Sequence, residues 1–509
     1  MNAAADNRRN RPFIIACVMS ATVMQALDTT VANVALPYMQ GGLGASRDQI
    51  TWVLTSYVVA SAIMTAPVGW LAGHFGRKPI MIIGVAGFTI ASALCGLATS
   101  IEQIVLFRLL QGVFGAVLVP LSQAIMLDLY PPDQSSRAIA IWSAGVMLGP
   151  ILGPSVGGWL TEYYSWRWVF LINVPIGALT LFGLLTFLKR RRMSENIRFD
   201  WSGFVYLSVA VGAFQLMLDR GEQLDWFHSA EVITEATVAG LSFYLFIVHS
   251  FFHDRPFIRP ALFRDRNLVM GLIFNFVIGM VLLATMALTA PYLQDLMNYP
   301  VMAAGEVMAP RGVSTMAAML LVGRLGNKAD PRVLITIGVV LMIVALYEMS
   351  LFTPDVTSWD IVRTGLVQGA AIGFTFAPAT GISFATLSPA LRNEAASLSN
   401  LIRNMGSAIG VSLTTFILTR YTIINHAEIA AYLTPFNQPL MGGSSADLWD
   451  MATVTGRSLL DAEVTRQAQI IAYANDFLYL AGIMLLILPL VLFMRRPAPS
   501  AAPVHAALE

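Results

Sequence analysis

Apolar runs of about twenty residues, the length needed to cross about 30 Å of hydrocarbon, recur along the whole chain. Short polar or charged stretches separate them. This pattern predicts fourteen membrane-spanning helices, at residues 13–37, 50–72, 79–99, 101–127, 137–160, 168–188, 202–218, 232–252, 268–290, 301–323, 332–352, 360–384, 396–420 and 474–494. The expected fold class is therefore an all-α integral membrane protein.

Composition agrees with this interpretation. Of the 509 residues, 56% are hydrophobic and 12% are charged, and the mean hydropathy of +0.67 lies far outside the usage of soluble domains. The two cysteines, Cys17 and Cys95, lie in apolar runs and are expected to be packing residues. A formal net charge of +1 gives no sign of nucleic-acid binding.

Basic residues are distributed unevenly among the predicted loops. Short cytoplasmic loops collect Lys and Arg, and alternate loops do so here, for example at Arg77, Lys78 and residues 189–192. The intervening loops are acidic, as at residues 219–231. This asymmetry predicts that both termini are cytoplasmic and that the long segment 421–473 lies outside, with room for short amphipathic helices.

Two pairs of similar segments predict an internal repeat. GWLAGHFGRKP (69–79) is similar to GRLGNKADPR (323–332), and RLLQGVFGA (108–116) is similar to GLVQGAAIG (365–373). Their order is explained if spans 1–6 and 9–14 are two halves and spans 7–8 are an insertion. The predicted organisation is a six-helix bundle at 1–198, two inserted spans with a cytoplasmic linker at 199–266, and a second six-helix bundle at 267–509.

The fifth predicted span contains GVMLGPILGPSVGGWL (145–160). Glycines four residues apart line one slowly winding face of a helix and allow a neighbouring helix to approach closely. Proline removes a backbone donor and bends the helix. We expect this helix to form a tight seam between the two halves. The motif comprises Gly145, Gly149, Pro150, Gly153, Pro154, Gly157 and Gly158.

Few ionisable residues lie inside the predicted spans, and a charge at mid-bilayer costs at least about 2.5 kcal/mol. Asp28 is the predicted proton carrier, with structural binding to a helix partner as the alternative. Arg108 is expected to approach Asp28 and drive its proton off, since an Arg itself stays charged. Glu306 is the third candidate for proton coupling.

Other polar residues inside the spans are candidates for a substrate cavity. They are Asn33, Gln111, Gln123, Arg311, Asn400, Arg403 and Asn404. The sequence has no Walker motif, no metal-spaced His or Cys cluster and no nucleophile elbow. We therefore expect no enzymatic activity, no metal site and no cofactor, and an ion gradient as the energy source.

Together these motifs resemble the major facilitator superfamily, and within it the fourteen-spanner drug:proton antiporter branch typified by EmrB and QacA. The resemblance covers residues 13–494 and includes LDTTVANVALP (27–37), RLLQG, the glycine motif and WRWVFLINVPIG (166–177). The family's loop motif implies a gating role for Gly69, Gly76, Arg77 and Lys78. The family usually has Asp and Arg where this chain has Gly73 and His74, and EmrB-like members also depart from the family pattern at this place.

The resemblance implies a proton-coupled exporter of hydrophobic or amphipathic compounds in the bacterial inner membrane, working by rocking of two bundles. A uniporter or importer of a small metabolite is the alternative, although the fifth-span motif is typical of exporters. Partners implied are a periplasmic adaptor, or membrane fusion protein, and an outer-membrane channel; a protein acting alone explains the sequence nearly as well. Three arginines against two acids in the spans favour neutral or weakly acidic substrates.

Overall fold

The computed structural model describes residues 10–131, 134–189, 199–253, 256–325, 329–387, 391–433, 449 and 453–494. Within these residues every regular element is a helix, so the all-α prediction is confirmed. The nine helices of the first half are α1 (Arg11–Leu43), α2 (Arg47–Thr65), α3 (Val68–Phe75), α4 (Arg77–Leu97), α5 (Ile101–Gly115), α6 (Leu118–Leu129), α7 (Ser135–Tyr163), α8 (Trp168–Leu171) and α9 (Asn173–Phe187).

The rest of the described chain adds two helices between the halves and six in the second half. The two between the halves are α10 (Trp201–Arg220) and α11 (Ala230–Phe252). The second half comprises α12 (Arg266–Pro291), α13 (Val301–Leu325), α14 (Pro331–Ser350), α15 (Ser358–Ala385), α16 (Arg392–Tyr432) and α17 (Val454–Ile487).

Side-chain caps define where several of these helices begin. Ser46 and Gln49 form a reciprocal capping box at the start of α2, and Thr357 and Asp360 do the same for α15. Such boxes satisfy backbone N–H groups that have no partner inside the helix. At the end of α1, Gly44 adopts a left-handed conformation with φ of 62°, which glycine tolerates without strain. Local sequence therefore sets these boundaries.

The structure has helices at all fourteen predicted positions. Eleven helical segments of the described chain are long and apolar enough to cross a membrane, and a bent pair, Gln49–Thr65 with Val68–Phe75, makes twelve. The helices α7 and α13 are the other two, so the count of fourteen spans stays a prediction. The second predicted span is not one straight helix: it bends by 53° at the break before α3, where Pro67 lacks a backbone N–H.

Two helices differ in length from the predicted spans. α16 has 41 residues and α17 has 34, with the 3-10 turn Leu488–Phe493 continuing α17. Within the predicted outside segment, residues 421–432 and 454–473 continue these two helices rather than forming separate short ones, whereas residues 434–448 lie outside the described part. At 1.5 Å per residue α16 is about 60 Å long, about twice the hydrocarbon thickness.

Two glycines that the predicted repeat pairs both lie at close contacts between helices. Gly112 of α5 lies so close to α2 that a Cβ there would be 2.5 Å from the carbonyl oxygen of Tyr57. Its counterpart Gly369 of α15 lies closer still to α13, where a Cβ would be 2.0 Å from the carbonyl oxygen of Arg311. The two glycines that the alignment pairs therefore bring equivalent pairs of helices together in the two halves.

The two halves contact each other at one end of the molecule. We call it the basic end, because the turns before α4 and α14 and the start of α16 lie there. A Cβ on Gly323 of α13 would be 2.7 Å from the Cβ of Ala140 in α7. The rings of Trp142 and Phe376 stack across the halves at 6.3 Å. These buried contacts close the basic end.

Candidate functional site

Asp28 lies in the middle of α1 and is buried, with 1% of its surface exposed. The Nη1 of Arg108 donates to its Oδ2 at 2.6 Å. The Nε2 of Gln111 and the Nδ2 of Asn173 donate to its Oδ1 at 2.8 and 3.0 Å. Three donors from α5 and α9 therefore surround one carboxylate of α1.

Arg108 is fixed as firmly as the carboxylate that it binds. Its Nε donates to the carbonyl oxygen of Val53 at 3.1 Å, and its Nη1 also donates to Oε1 of Gln111 at 2.8 Å. The guanidinium carbon lies 4.5 Å from the ring centre of Tyr57 and 5.4 Å from that of Phe170. A buried charge needs such a set of partners, and these come from α1, α2, α5 and the short helix α8.

The predicted approach of Arg108 to Asp28 is therefore present in the geometry. Asn173 was not among the predicted site residues. The only signal for it was an amide side chain within the apolar run of WRWVFLINVPIG. Its Nδ2 also donates to Ser92 at 3.0 Å, and Ser92 donates to the carbonyl oxygen of Phe170, so α9 is tied to α4 and α8.

Gln111 belongs to this site and not to an open cavity. It is fully buried. Its Nε2 donates to Asp28, and its Oε1 accepts from Arg108. Asn33, by contrast, is exposed on α1, one turn beyond Thr29. Glu306 is exposed near the start of α13, five residues from its first residue.

Two further predicted cavity residues join the halves near the basic end. The Nδ2 of Asn400, on α16, donates to Oε1 of Gln123, on α6, at 3.3 Å, and both residues are buried. The Nη2 of Arg403 donates to Oδ1 of Asn400 at 2.7 Å, and its guanidinium lies 5.6 Å from the ring centre of Phe376. Asn404, the next residue of α16, is half-buried.

Arg311 occupies the place in the second half that corresponds to the Arg108 site. It lies on α13 opposite Gly365 and Gly369, which the repeat pairs with Arg108 and Gly112. Its Nη2 donates to Oγ1 of Thr285 at 3.1 Å, and it has no carboxylate partner among the described residues. Gln368, the counterpart of Gln111, is fully buried, and neither amide atom has a hydrogen-bond partner in the described part of the chain.

The glycines of α7 face α1 inside the first half, and it is another face of the same helix that meets the second half, at α13. Added Cβ atoms at Gly145, Gly149 and Gly153 would collide with Met19, Ala26 and Thr30 of α1, and one at Gly157 would lie 3.0 Å from Val31. Gly158 is also buried. The side chains of Pro150 and Pro154 lie outside the described residues. The glycines face α1 because it runs beside α7, whereas another face of α7 contacts α13.

The residues of the gating motif lie at the turn between α3 and α4. Gly69 is buried in α3, and Gly76 has a φ of 88°, which favours glycine at this turn. Arg77 forms an ion pair with Asp128 of α6, and Nζ of Lys78 donates to the carbonyl oxygen of Leu185 at 2.9 Å. A Cβ on Gly73 would contact nothing within 4 Å. The motif therefore connects helices of the first half.

A second buried carboxylate, Asp476 of α17, was also missed. None of its surface is exposed, and neither carboxylate oxygen has a hydrogen-bond partner among the described residues. It lies in the last predicted span, where a single acid near the start of an apolar run resembles an ordinary helix end.

Comparisons with known proteins agree with the geometry. The profile of the Major Facilitator Superfamily matches residues 18–411. Multidrug export protein EmrB of Escherichia coli (strain K12) is 36% identical over 480 residues, 94% of each chain. Fatty acid resistance protein FarB of Neisseria gonorrhoeae is 34% identical over 488 residues, 95% of this chain and 96% of that one.

Solved structures support the fold independently. The crystal structure of a human organic anion transporter superposes with a TM-score of 0.61 at 14% identity, and the match covers 94% of this chain and 99% of that one. At this identity the likeness concerns the fold alone. The predicted multi-pass membrane architecture is thereby confirmed. The chain belongs to the Major Facilitator Superfamily, in the branch of the EmrB-type multidrug export proteins.

Proposed function

We propose that this protein exports hydrophobic or amphipathic compounds in exchange for protons, and that Asp28 is the residue that binds and releases the proton. The observation that carries the proposal is the fully buried ion pair between Asp28 and Arg108. The similarity of this chain to EmrB, a multidrug export protein, supports the substrate class. The proton gradient, rather than ATP or a bound cofactor, supplies the energy.

Protonation of Asp28 would change the balance of forces within the first half. A neutral carboxyl leaves Arg108 buried without a counter-ion, and breaking a buried pair in this way costs about 3–5 kcal/mol. A cost of that size shifts an equilibrium between two states by a factor of more than about 100. Proton binding can therefore favour a different arrangement of α1, α5 and α9, which is what alternating access requires.

We assign the basic end to the cytoplasm, because Arg77, Lys78 and Arg392 lie there and short cytoplasmic loops collect Lys and Arg. Both termini then lie on the cytoplasmic side of a bacterial inner membrane. The contacts between Gln123 and Asn400 and between Trp142 and Phe376 then correspond to a state closed toward the cytoplasm. Release of substrate to the outside fits such a state.

The test of coupling uses inverted membrane vesicles with an imposed pH gradient and a fluorescent lipophilic substrate. Asp28→Asn is expected to keep part of substrate binding and to lose gradient-driven uptake, since the amide cannot release a proton. The matched control is Asp225→Asn, because the Asp225 side chain is 88% exposed in a loop. Uptake that persists after every ion gradient has been collapsed would exclude antiport and favour a uniporter.

The charges inside the predicted spans favour neutral or weakly acidic compounds. Asp28 is neutralised by Arg108, whereas Arg311 and Arg403 have no carboxylate partner among the described residues. FarB, a fatty acid resistance protein, is a relative of matching length. Cells expressing the protein are expected to resist a lipophilic weak acid more than a lipophilic dication, and protection against the dication alone would contradict this assignment.

We also propose that the protein hands its substrate to a periplasmic adaptor and an outer-membrane channel. The long helices α16 and α17 support this, because together they extend well beyond one hydrocarbon thickness on the side opposite the basic end. Crosslinking in a double-membrane host, followed by purification, is expected to recover the adaptor. Recovery of the protein alone from every crosslinked preparation would favour independent export.

A further inference from the structure

Asp200 lies immediately before α10, at the basic end, and holds three segments together. Its Oδ1 accepts a hydrogen bond from the backbone N–H of Gly203 at 2.9 Å, and its Oδ2 accepts one from the N–H of Phe257 at 3.0 Å. The Nε2 of His249, in the last turn of α11, lies 2.9 Å from Oδ1. The carboxylate is thus fixed by backbone and faces an imidazole.

A second imidazole stands beside the first. His249 and His253 are four residues apart in HSFFH (249–253), a spacing that places both on one side of the last helical turn and its end. Their ring centres are 4.7 Å apart and the rings are nearly parallel, at 21°. His253 is exposed, so its ring is free to turn. The sequence predicted no metal site, because two histidines alone do not make one and the carboxylate is 49 residues away from His249 along the chain.

The three side chains can offer ligand atoms that all lie within 4.8 Å of one another. Three ligands around a zinc ion, each at about 2.0–2.2 Å, are about 3.4 Å apart, so a small movement of the exposed His253 ring completes the arrangement. Burial raises the pKa of Asp200, but hydrogen bonds from Gly203, His249 and Phe257 outweigh it and hold that pKa below its ordinary value. The carboxylate is therefore ionised at neutral pH, as a ligand must be.

We propose that Asp200, His249 and His253 form a binding site for a divalent transition-metal ion such as Zn²⁺. Two imidazoles and one carboxylate are a ligand set that zinc accepts, with water in the remaining position. The ion would join the start of α10 to the end of α11. This site is separate from Asp28 and does not depend on the proposed transport function.

Co²⁺ serves as the spectroscopic probe, with full-length protein purified in detergent and freed of any polyhistidine tag. Wild-type protein is expected to bind one Co²⁺ per chain with a visible absorption band, and Zn²⁺ is expected to displace it. Affinity is expected to fall in acid, because a protonated imidazole cannot bind a metal ion.

The decisive variant is His253→Ala, since His253 is exposed and its loss leaves the cap at Asp200 intact. It is expected to weaken Co²⁺ binding by more than about 10-fold, the lower limit even for residues in the outer shell of a metal site. His228→Ala is the matched control, because the His228 side chain is 86% exposed and lies far from the cluster along the chain. Equal melting temperatures of the metal-free proteins establish that both variants fold.

Two results would overturn the proposal. One is a wild-type protein without a Co²⁺ band at millimolar Co²⁺. The other is a His253→Ala protein that binds Co²⁺ as tightly as His228→Ala, which would leave Asp200 and His249 as a helix cap and its hydrogen-bond partner only.

Discussion

Asp28 and Asp476 are both fully buried carboxyl groups, but their surroundings are opposite. Asp28 accepts hydrogen bonds from Arg108, Gln111 and Asn173, so its ionised form is compensated. Asp476 has no hydrogen-bond partner among the described residues. An uncompensated charge is costly in a dry interior, whereas a compensated one can be kept until its partner or its proton changes. This contrast makes Asp28, and not Asp476, the candidate for coupling.

Arg108→Lys is expected to abolish gradient-driven transport although it keeps the charge. A lysine cannot reproduce the planar fork that reaches Asp28, Gln111 and the Val53 carbonyl together, nor the contact with the Tyr57 ring. Transport in vesicles is expected to fall at least about 10-fold, with expression measured in parallel. Arg363→Lys is the control, because Arg363 is 53% exposed. Normal transport by Arg108→Lys would show that charge alone suffices.

Asp476→Leu is expected to stabilise the protein. Removing a buried polar group without a partner relieves about 1–3 kcal/mol of desolvation cost, and leucine has a similar volume. The melting temperature should therefore rise, and transport should continue. Loss of transport at a normal expression level would instead identify Asp476 as a second proton site and would contradict the contrast drawn with Asp28.

Sequence reasoning located Asp28, Arg108 and Gln111 because a charge inside an apolar run stands out and Arg108 and Gln111 share a helix face. It missed Asn173 because an uncharged amide in an apolar span carries no comparable cost. It also placed Gln111 in a cavity, since spacing along one helix does not tell which neighbouring helix fills the space opposite. Contacts between helices, such as Gln123 with Asn400, likewise required the structure.

At the scale of helices, the seam between α1 and α7 is built from small residues. The glycines of α7 allow backbone contact with Ala26 and Thr30, and Oγ1 of Thr30 donates to the carbonyl oxygen of Gly149 at 3.2 Å. The second half repeats this arrangement between α16 and α12, where a Cβ on Gly410 would be 2.5 Å from the carbonyl oxygen of Met280. In each half, a helix at the centre is therefore held by backbone contact with its neighbour.

Gly149→Ala is expected to separate α1 from α7. The new Cβ would lie 2.5 Å from the carbonyl carbon of Ala26, which is backbone and cannot turn aside. Overpacking of this kind costs about 1–3 kcal/mol, so the melting temperature and the transport rate should both fall. Gly240→Ala in α11 is the control, because nothing lies within 4 Å of its Cβ position. Equal melting temperatures for the two variants would show that the seam tolerates a methyl group.

The positions of the helices were predictable because each apolar run is about as long as the hydrocarbon is thick. The ends and bends of the helices were harder to predict. The bend before α3 depends on Pro67, and the extra length of α16 depends on a polar stretch whose hydropathy resembles that of a loop. The glycine spacing predicted close packing but could not show that the glycines face α1 while another face of α7 meets α13.

At the scale of the whole molecule, the two halves contact each other at the basic end. Three contacts join α6 and α7 to α13, α15 and α16. They are the contact of Ala140 with Gly323, the hydrogen bond between Gln123 and Asn400, and the stacked rings of Trp142 and Phe376. Few of these contacts are charged. They can therefore separate and re-form without the desolvation of ions, as a rocking transporter requires.

Cysteines at Ala140 and Gly323 are expected to lock the transporter. In a background with Cys17→Ala and Cys95→Ala, the paired variant Ala140→Cys with Gly323→Cys should form a disulfide under mild oxidation, because the Cβ positions are 2.7 Å apart and small backbone shifts reach the usual separation of about 3.8 Å. Mass spectrometry of the linked peptides detects the bond. Transport should stop on oxidation and return on reduction, whereas each single cysteine variant should be insensitive to both. Full transport by the crosslinked protein would show that the basic end does not open during the cycle.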